Sequence, residues 1–379
     1  MQRYRILAAA VVMQMCLGAT YAWSVFVEPL RQSTGLLQGA VQLPFTMFYF
    51  AFPLTMIFAG AWLPRLGPRR CAVAGGLLFG CGWLVAGWGH LHFGWTVLGI
   101  GLIAGVGVGS AYIVPIATCI RWFPAHKGLV TGVAVAGFGG GAALVSQAGA
   151  WLMAAQGGTP FWAFRVLGVI FLVLVTGAGM FMRNPSGGSD AGAVQYDWRQ
   201  VVRQPAFQML YLAMVCGLAA GFAVNANLKS LTPHVTAGLG VTAVGLFAIA
   251  NAAGRLGWGW LFDRLDGRTT LGANLIAQAA VLLLAPWILA TANGLLFFAL
   301  LTGFNYGGVL VLYASSVAQR WGSAAVGRVY GLLFSANIPA AVAPMAAGHL
   351  FDTFGTFTPA FWGIAALIVL AALRLIKAS

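Results

Sequence analysis

The sequence predicts an all-α integral membrane protein, with twelve transmembrane helices in two pseudo-symmetric six-helix bundles. Three observations carry that reading. Of 379 residues, 60% are hydrophobic and only 7% charged, and the mean hydropathy is +0.88, which excludes an ordinary soluble domain. The apolar residues gather into twelve runs of a length that crosses a bilayer core as a helix. Features of the first half also recur in the second at one fixed offset of 199 residues.

The runs lie near 6–28, 40–62, 71–91, 95–120, 128–154 and 160–182, then near 205–229, 241–262, 269–291, 294–318, 327–350 and 356–376. They are called spans one to twelve below. Span one is too long for a signal-peptide core and has no convincing cleavage site, so it reads as a membrane helix. An even number of spans puts both termini on one side. The connectors after spans two, four, six, eight and ten carry Arg65, Arg69, Arg70, Arg121, Lys127, Arg183, Arg199, Arg203, Arg264, Arg268, Arg320 and Arg328. With Arg3, Arg5, Arg374 and Lys377 at the termini, 16 of the 20 basic residues share that side, and the positive-inside rule makes it the cytoplasm. The opposite connectors hold little beyond Arg31 and Lys229, with Arg165 just inside span six. Trp62, Trp95, Trp122, Trp151, Trp162 and Trp321 near span ends suit an interfacial aromatic belt. The net charge of +14 is thus spent on orientation in a cell membrane and forms no stripe for nucleic acid. Cys16, Cys71, Cys81, Cys119 and Cys216 have no metal-ligand spacing and read as small core residues.

The repeat pairs Gly60-Ala-Trp-Leu-Pro64-Arg65-Leu-Gly67-Pro-Arg69-Arg70 with Gly259-Trp-Leu-Phe-Asp263-Arg264-Leu-Asp266-Gly-Arg268. It also pairs Arg121-Trp122 with Arg320-Trp321, Gly128 with Gly327, and Gly132 with Gly331. Two six-helix halves related by duplication are the plan of many carriers. The expected division is residues 1–182, a cytoplasmic linker at 183–204, and residues 205–379. The linker is flexible by composition around Ser186 to Gly192, and Asp197 to Arg203 can form a short surface helix.

Arg255 stands near the middle of span eight, in Val-Thr-Ala-Val-Gly-Leu-Phe-Ala-Ile-Ala-Asn251-Ala-Ala-Gly254-Arg255. A guanidinium there costs on the order of 3 kcal/mol by insertion scales. The six acids of the chain, Glu28, Asp190, Asp197, Asp263, Asp266 and Asp352, all fall at predicted helix ends or in loops. Arg255 therefore reads as a cation awaiting a carboxylate from a substrate. The alternative is that it snorkels to the interface or caps the carbonyls of a broken helix. Eight residues from Asp263 correspond to ~12 Å of helix, which is far for snorkelling. Asn251, one turn away, either steadies the guanidinium or donates to the ligand.

The motif between spans two and three, and its second copy at Asp263-Arg264, resemble the signature of the major facilitator superfamily. Gly18-Ala-Thr-Tyr21-Ala-Trp23-Ser-Val-Phe26, Trp122-Phe-Pro124-Ala-His-Lys127-Gly128-Leu-Val-Thr-Gly132 and Asn251-Ala-Ala-Gly254-Arg255 are similar to the oxalate:formate antiporter and monocarboxylate-transporter branch. The resemblance implies the major facilitator fold, a monomer, and gating roles for Asp263, Arg264, Arg65 and Arg69. In the family the acid of the motif helps to hold the inner gate closed, and here Pro64 replaces it in the first copy. Proton-coupled monocarboxylate carriers have Asp where Asn251 stands, so this chain lacks that proton acceptor.

Tyr112 lies nine residues before Arg121, ~13 Å from the cytoplasmic face and so at the depth of Arg255. It reads either as core or as a substrate contact. Asn305 and Tyr306 in span ten, Phe334 and Asn337 in span eleven, and Phe138 in span five sit at similar depths, with Tyr21 and Gln14 as further lining candidates. The glycines of spans four and five suit both tight packing and sliding helices. The dicarboxylate-exchanging relatives use a second cation in span eleven. Here that span has Arg328 at its mouth and no Lys within. One deep cation suits one carboxylate.

The expectation is a secondary carrier for small monocarboxylates such as lactate or pyruvate, with a proton as co-substrate, or else a carboxylate:carboxylate exchanger. No HExxH, GxSxG or Walker loop suggests an enzyme, and no cofactor or metal is implied. Glu28, His234, His349 and Asp352 lie toward the outer face and can titrate, and Lys229 is either an anion-attracting entrance or a solvated helix end.

Overall fold

The computed structural model describes residues 2–36, 38–41, 43–155, 157, 159–185, 197–228, 231 and 237–377. The Ser186–Gly192 linker, Lys229 and His234 lie outside the described residues, as do the side chains of Glu28 and Asp352. Among the described residues, 9 helices are long and apolar enough to cross a membrane. One of them, Leu43–Ala86, is spans two and three run together, with a break at Gly67 (φ 80°, ψ 162°). That conformation suits a residue without a Cβ, and Pro68 then starts span three. Ala237–Arg264 and Gly267–Leu283 are the two remaining spans and complete twelve.

The second copy of this turn is built differently. Asp266 caps span nine, its carboxylate accepting the N–H groups of Arg268 and Thr269 at 3.0 and 3.2 Å. Proline at the first turn opens Pro160–Gly179 and Pro205–Asn227. Asp197 caps the short helix Trp198–Arg203.

Spans one, four and eleven depart from regular α-helices, span four through a π-helical stretch at Val97–Ala104. Span one continues from Gln2–Leu17 through a 3-10 turn, Gly18–Ala22, into Ser24–Thr34. Span eleven was expected as one run but is three pieces: Val326–Phe334, Asn337–Ala340 and Ala343–Phe354. Pro339 and Pro344 remove two helical donors there, and short helices around them take up the change.

The chain forms two compact units. Unit 1 holds Met1–Pro124, Ala134–Val194 and Ser323–Phe334; unit 2 holds Ala125–Val133, Gln195–Gly322 and Ser335–Ser379. Each unit therefore takes one short segment from the other half of the sequence. Glycine makes both insertions close. A Cβ on Gly60 would strike the carbonyl of Gly327 in unit 1, and one on Gly128 would strike that of Gly259 in unit 2.

Unit 1 is cored by rings. Trp83, 1% exposed, meets Phe26, Phe79, Phe164 and Phe171, with centroids 5.2–6.3 Å away. In unit 2, spans eight and ten cross nearly backbone to backbone. A Cβ on Gly254, Gly303 or Gly307 would strike the carbonyl of Phe304, Phe247 or Asn251 respectively. Outward faces carry large apolar side chains such as Phe58, Val173, Ile249 and Leu370, each more than half exposed. Lipid, as apolar as these side chains, makes that exposure favourable.

Candidate functional site

Span eight places Asn251 and Arg255 one turn apart on one face, since i and i+4 residues align on a helix. Both are buried, at 8% and 5% exposure. The Nε of Arg255 donates to Oδ1 of Asn251 at 3.0 Å. That bond fixes the orientation of the guanidinium plane. A guanidinium is a planar fork whose geometry matches a carboxylate.

Span ten packs against this turn because Gly307 lets the Asn251 carbonyl approach. Asn305 is buried at 5% exposure. Its carbonyl accepts Nδ2 of Asn274 from span nine at 2.9 Å. The Tyr306 ring lies on Gly221, stacked at 6.0 Å on Phe247 and edge-on at 6.0 Å to Phe222.

Unit 1 gathers the aromatic candidates. Tyr112, 1% exposed, meets Phe52, Phe138 and Phe334 with ring centroids 5.3, 5.2 and 5.4 Å away. Tyr21 stands edge-on to Phe138 at 5.1 Å. Gln14, buried at 0% exposure, donates from Nε2 to the carbonyl of Tyr112 at 3.2 Å, which ties span one to span four. The candidates thus form two groups, a polar one in unit 2 and an aromatic one in unit 1. Asn337 is half-buried at the start of its short helix and belongs to unit 2, while Phe334, three residues earlier, belongs to unit 1.

Asp263 meets the first turn of Lys127–Ala154. Oδ1 accepts the N–H of Gly128 and Oδ2 that of Leu129, both at 2.8 Å. An anionic carboxylate on the first amides of a 28-residue helix combines charge-assisted bonds with a favourable helix-dipole term. Arg264 lies over the ring of Trp260 at 4.6 Å, and Arg65 and Arg69 are exposed.

Asn274 and Gln278 were not singled out from the sequence. Both are at most 2% exposed in Gly267–Leu283, and Gln278 Nε2 donates to the Gly217 carbonyl at 3.2 Å. The available signal was two amides one turn apart in an otherwise apolar run.

The Major Facilitator Superfamily profile matches residues 8–338 and 244–379. The chain belongs to that superfamily. It is 25% identical to the oxalate:formate antiporter of Oxalobacter formigenes over 89% of this chain and 82% of that one. It is 28% identical to apicoplast pyruvate carrier 1 of Toxoplasma gondii over 75% of this chain and 64% of the carrier. With monocarboxylate transporter 13 of Rattus norvegicus it shares 25% over 89% and 78% of the two chains. The crystal structure of the superfamily transporter FucP in the outward conformation superposes over 100% of both chains, with a TM-score of 0.79 at 15% identity, and so shares the fold. The protein is a multi-pass membrane transporter for a small molecule, not an enzyme, and its relatives include the antiporter and monocarboxylate branch.

Proposed function

We propose that the chain carries small monocarboxylates by alternating access, with the carboxylate of the substrate on Arg255. The observation that supports this most directly is a guanidinium, 5% exposed, inside the membrane-spanning helix Ala237–Arg264, nine residues before its end, and oriented by Asn251 at 3.0 Å. Occluding a cation is costly. A bound carboxylate offsets that cost and lets the two six-helix halves, residues 1–182 and 205–379, exchange access. Asn305 adds a second polar group in the same unit. Lactate and pyruvate are cargoes of this class, each with one carboxylate and a small organic tail. A proton accompanies the anion, so that transport is electroneutral. Both termini face the cytoplasm.

The pyruvate carrier and the monocarboxylate transporter among the relatives support this cargo class, while the oxalate:formate antiporter supports a second reading, the exchange of one carboxylate for another. The test is uptake of labelled L-lactate into proteoliposomes, with and without an inward proton gradient, by wild type and Arg255→Ala. Gradient-driven uptake that disappears in the variant is the expected result. Uptake indifferent to the substitution would overturn the assignment of Arg255. Counterflow without net uptake would replace symport by exchange.

A further inference from the structure

Arg165 stands at the end of unit 1 opposite the turn at Gly67, where orientation gives no reason for a cation. The sequence assigns 16 of the 20 basic residues to the other side of the membrane. Arg165 is exposed, five residues into Pro160–Gly179. Gly87, just past the end of span three, makes room for its stem, since a Cβ there would strike Cγ of Arg165. Nε and Nη2 of Arg165 donate to the Gly87 carbonyl at 3.2 and 3.0 Å. Nδ1 of His90 lies 3.1 Å from Nη2 and 3.0 Å from the same carbonyl. These contacts hold the guanidinium in place through Nε and Nη2, and Nη1 has no partner among the described residues.

The surface around it is firm and partly apolar. The connector after span three is tied by consecutive turns, in which the N–H groups of Trp88, Gly89 and Leu91 donate to the carbonyls of Val85, Ala86 and Trp88 at 2.9–3.0 Å. The Thr96 hydroxyl donates to the Ala86 carbonyl at 3.2 Å and closes the connector onto span four. Trp88, Leu91, Trp95 and Trp162 are each more than a third exposed, and Trp88 and Trp95 meet edge-on at 6.1 Å. Trp162 lies one turn before Arg165 on the same face of span six. Indoles settle between acyl chains and headgroups, so this belt sets Arg165 at the depth of the lipid phosphates. Arginine pairs with phosphate oxygens through its planar fork.

We propose that Arg165, with the rim of Trp88, Leu91, Trp95 and Trp162, is a binding site for one phospholipid. Its phosphate lies on Arg165 and its acyl chains lie against the apolar rim. A free phosphate ion would leave that rim unused, so the occupant is a lipid. On the orientation proposed above it belongs to the outer leaflet. The lipid joins span six to the connector after span three and uses none of the residues assigned to the carboxylate.

The experiment is native mass spectrometry of the purified full-length protein, released from an uncharged detergent after addition of phosphatidylglycerol. It counts the lipids that each molecule retains. Wild type, Arg165→Gln, His90→Asp and Arg374→Gln are compared, with diacylglycerol of the same chains as the lipid without phosphate. Arg165→Gln is expected to retain one phosphatidylglycerol fewer than wild type at the same lipid concentration. His90→Asp, which sets a carboxylate beside Nη2 and so occupies the guanidinium from within, also retains one fewer. Arg374→Gln, which removes an exposed cation from the last span, retains as many as wild type. Equal retention by wild type and Arg165→Gln would overturn the proposal. So would equal retention by wild type and His90→Asp, which decides the matter alone if Arg165→Gln does not fold. A loss in Arg374→Gln as large as in Arg165→Gln would assign retention to net charge and overturn the site. Diacylglycerol retained with the same dependence on Arg165 would overturn the phosphate contact.

Discussion

At Arg255 the decisive property is shape as much as charge. Lysine would keep the positive charge but lose the planar fork and the Nε bond to Asn251. On the proposed function, Arg255→Lys raises the KM for the carried acid at least tenfold, and Arg255→Ala abolishes uptake; rates measured in proteoliposomes over a range of substrate concentration check both. Asn251→Asp is the sharper experiment. It places a carboxylate within 3.0 Å of the guanidinium, where the amide oxygen now accepts, and so builds in a competitor for the substrate. Uptake by Asn251→Asp falls at neutral pH and returns as acid protonates the new carboxylate. A variant with wild-type affinity at neutral pH would show that the substrate does not use this guanidinium.

At the scale of elements, glycine and buried amides set how spans eight, nine and ten meet. Any Cβ at Gly307 collides with backbone, which cannot move aside as a flexible side chain can. Gly307→Ala therefore destabilises the protein, by about 1–3 kcal/mol on the scale of overpacked cores. Gly363→Ala, with nothing within 4 Å of the new methyl, leaves melting unchanged. Asn274→Leu removes the bond to the Asn305 carbonyl and lowers stability by roughly 0.6–2 kcal/mol, the range for hydrogen bonds between membrane helices. Thermal unfolding of the three variants side by side tests the ranking. Equal melting of Gly307→Ala and Gly363→Ala would mean that spans eight and ten do not cross this closely.

For the whole molecule, orientation and the Asp263 cap are the properties to test. A fluorescent protein fused after Ser379 should fold and fluoresce in the cytoplasm, while an exported phosphatase at the same point stays inactive; the reverse pattern would invert the topology. Asp263→Asn keeps one acceptor oxygen but loses the charge and one of the two amide bonds. A loss of about 1–2 kcal/mol in thermal stability is expected from the charge-assisted bond and the helix-dipole term together. Because Pro64 supplies no equivalent, Asp263→Asn leaves neither copy of the motif with its acid, so the drop should exceed that of an exposed control such as Asp197→Asn.

The number and order of the spans, their apolar faces and the duplication could all be read from the residues alone. Each depends on a local property: twenty or so apolar residues must hydrogen-bond their own backbone in lipid, and a repeat at offset 199 is visible in Arg121-Trp122 and Arg320-Trp321. Arg255 stood out for the same reason, since one charge in an apolar run is conspicuous without any structure. The break of span eleven around Pro339 and Pro344 was legible only in part, because proline marks a weak point without saying how the chain bends. Tertiary structure alone decided that Asn274 reaches the Asn305 carbonyl. It alone gathered Phe52, Tyr112, Phe138 and Phe334 into one group and brought Arg165 to the Gly87 carbonyl. These are contacts between segments far apart in the chain. They depend on how close two backbones can come, and that distance is fixed by side chains on both partners at once.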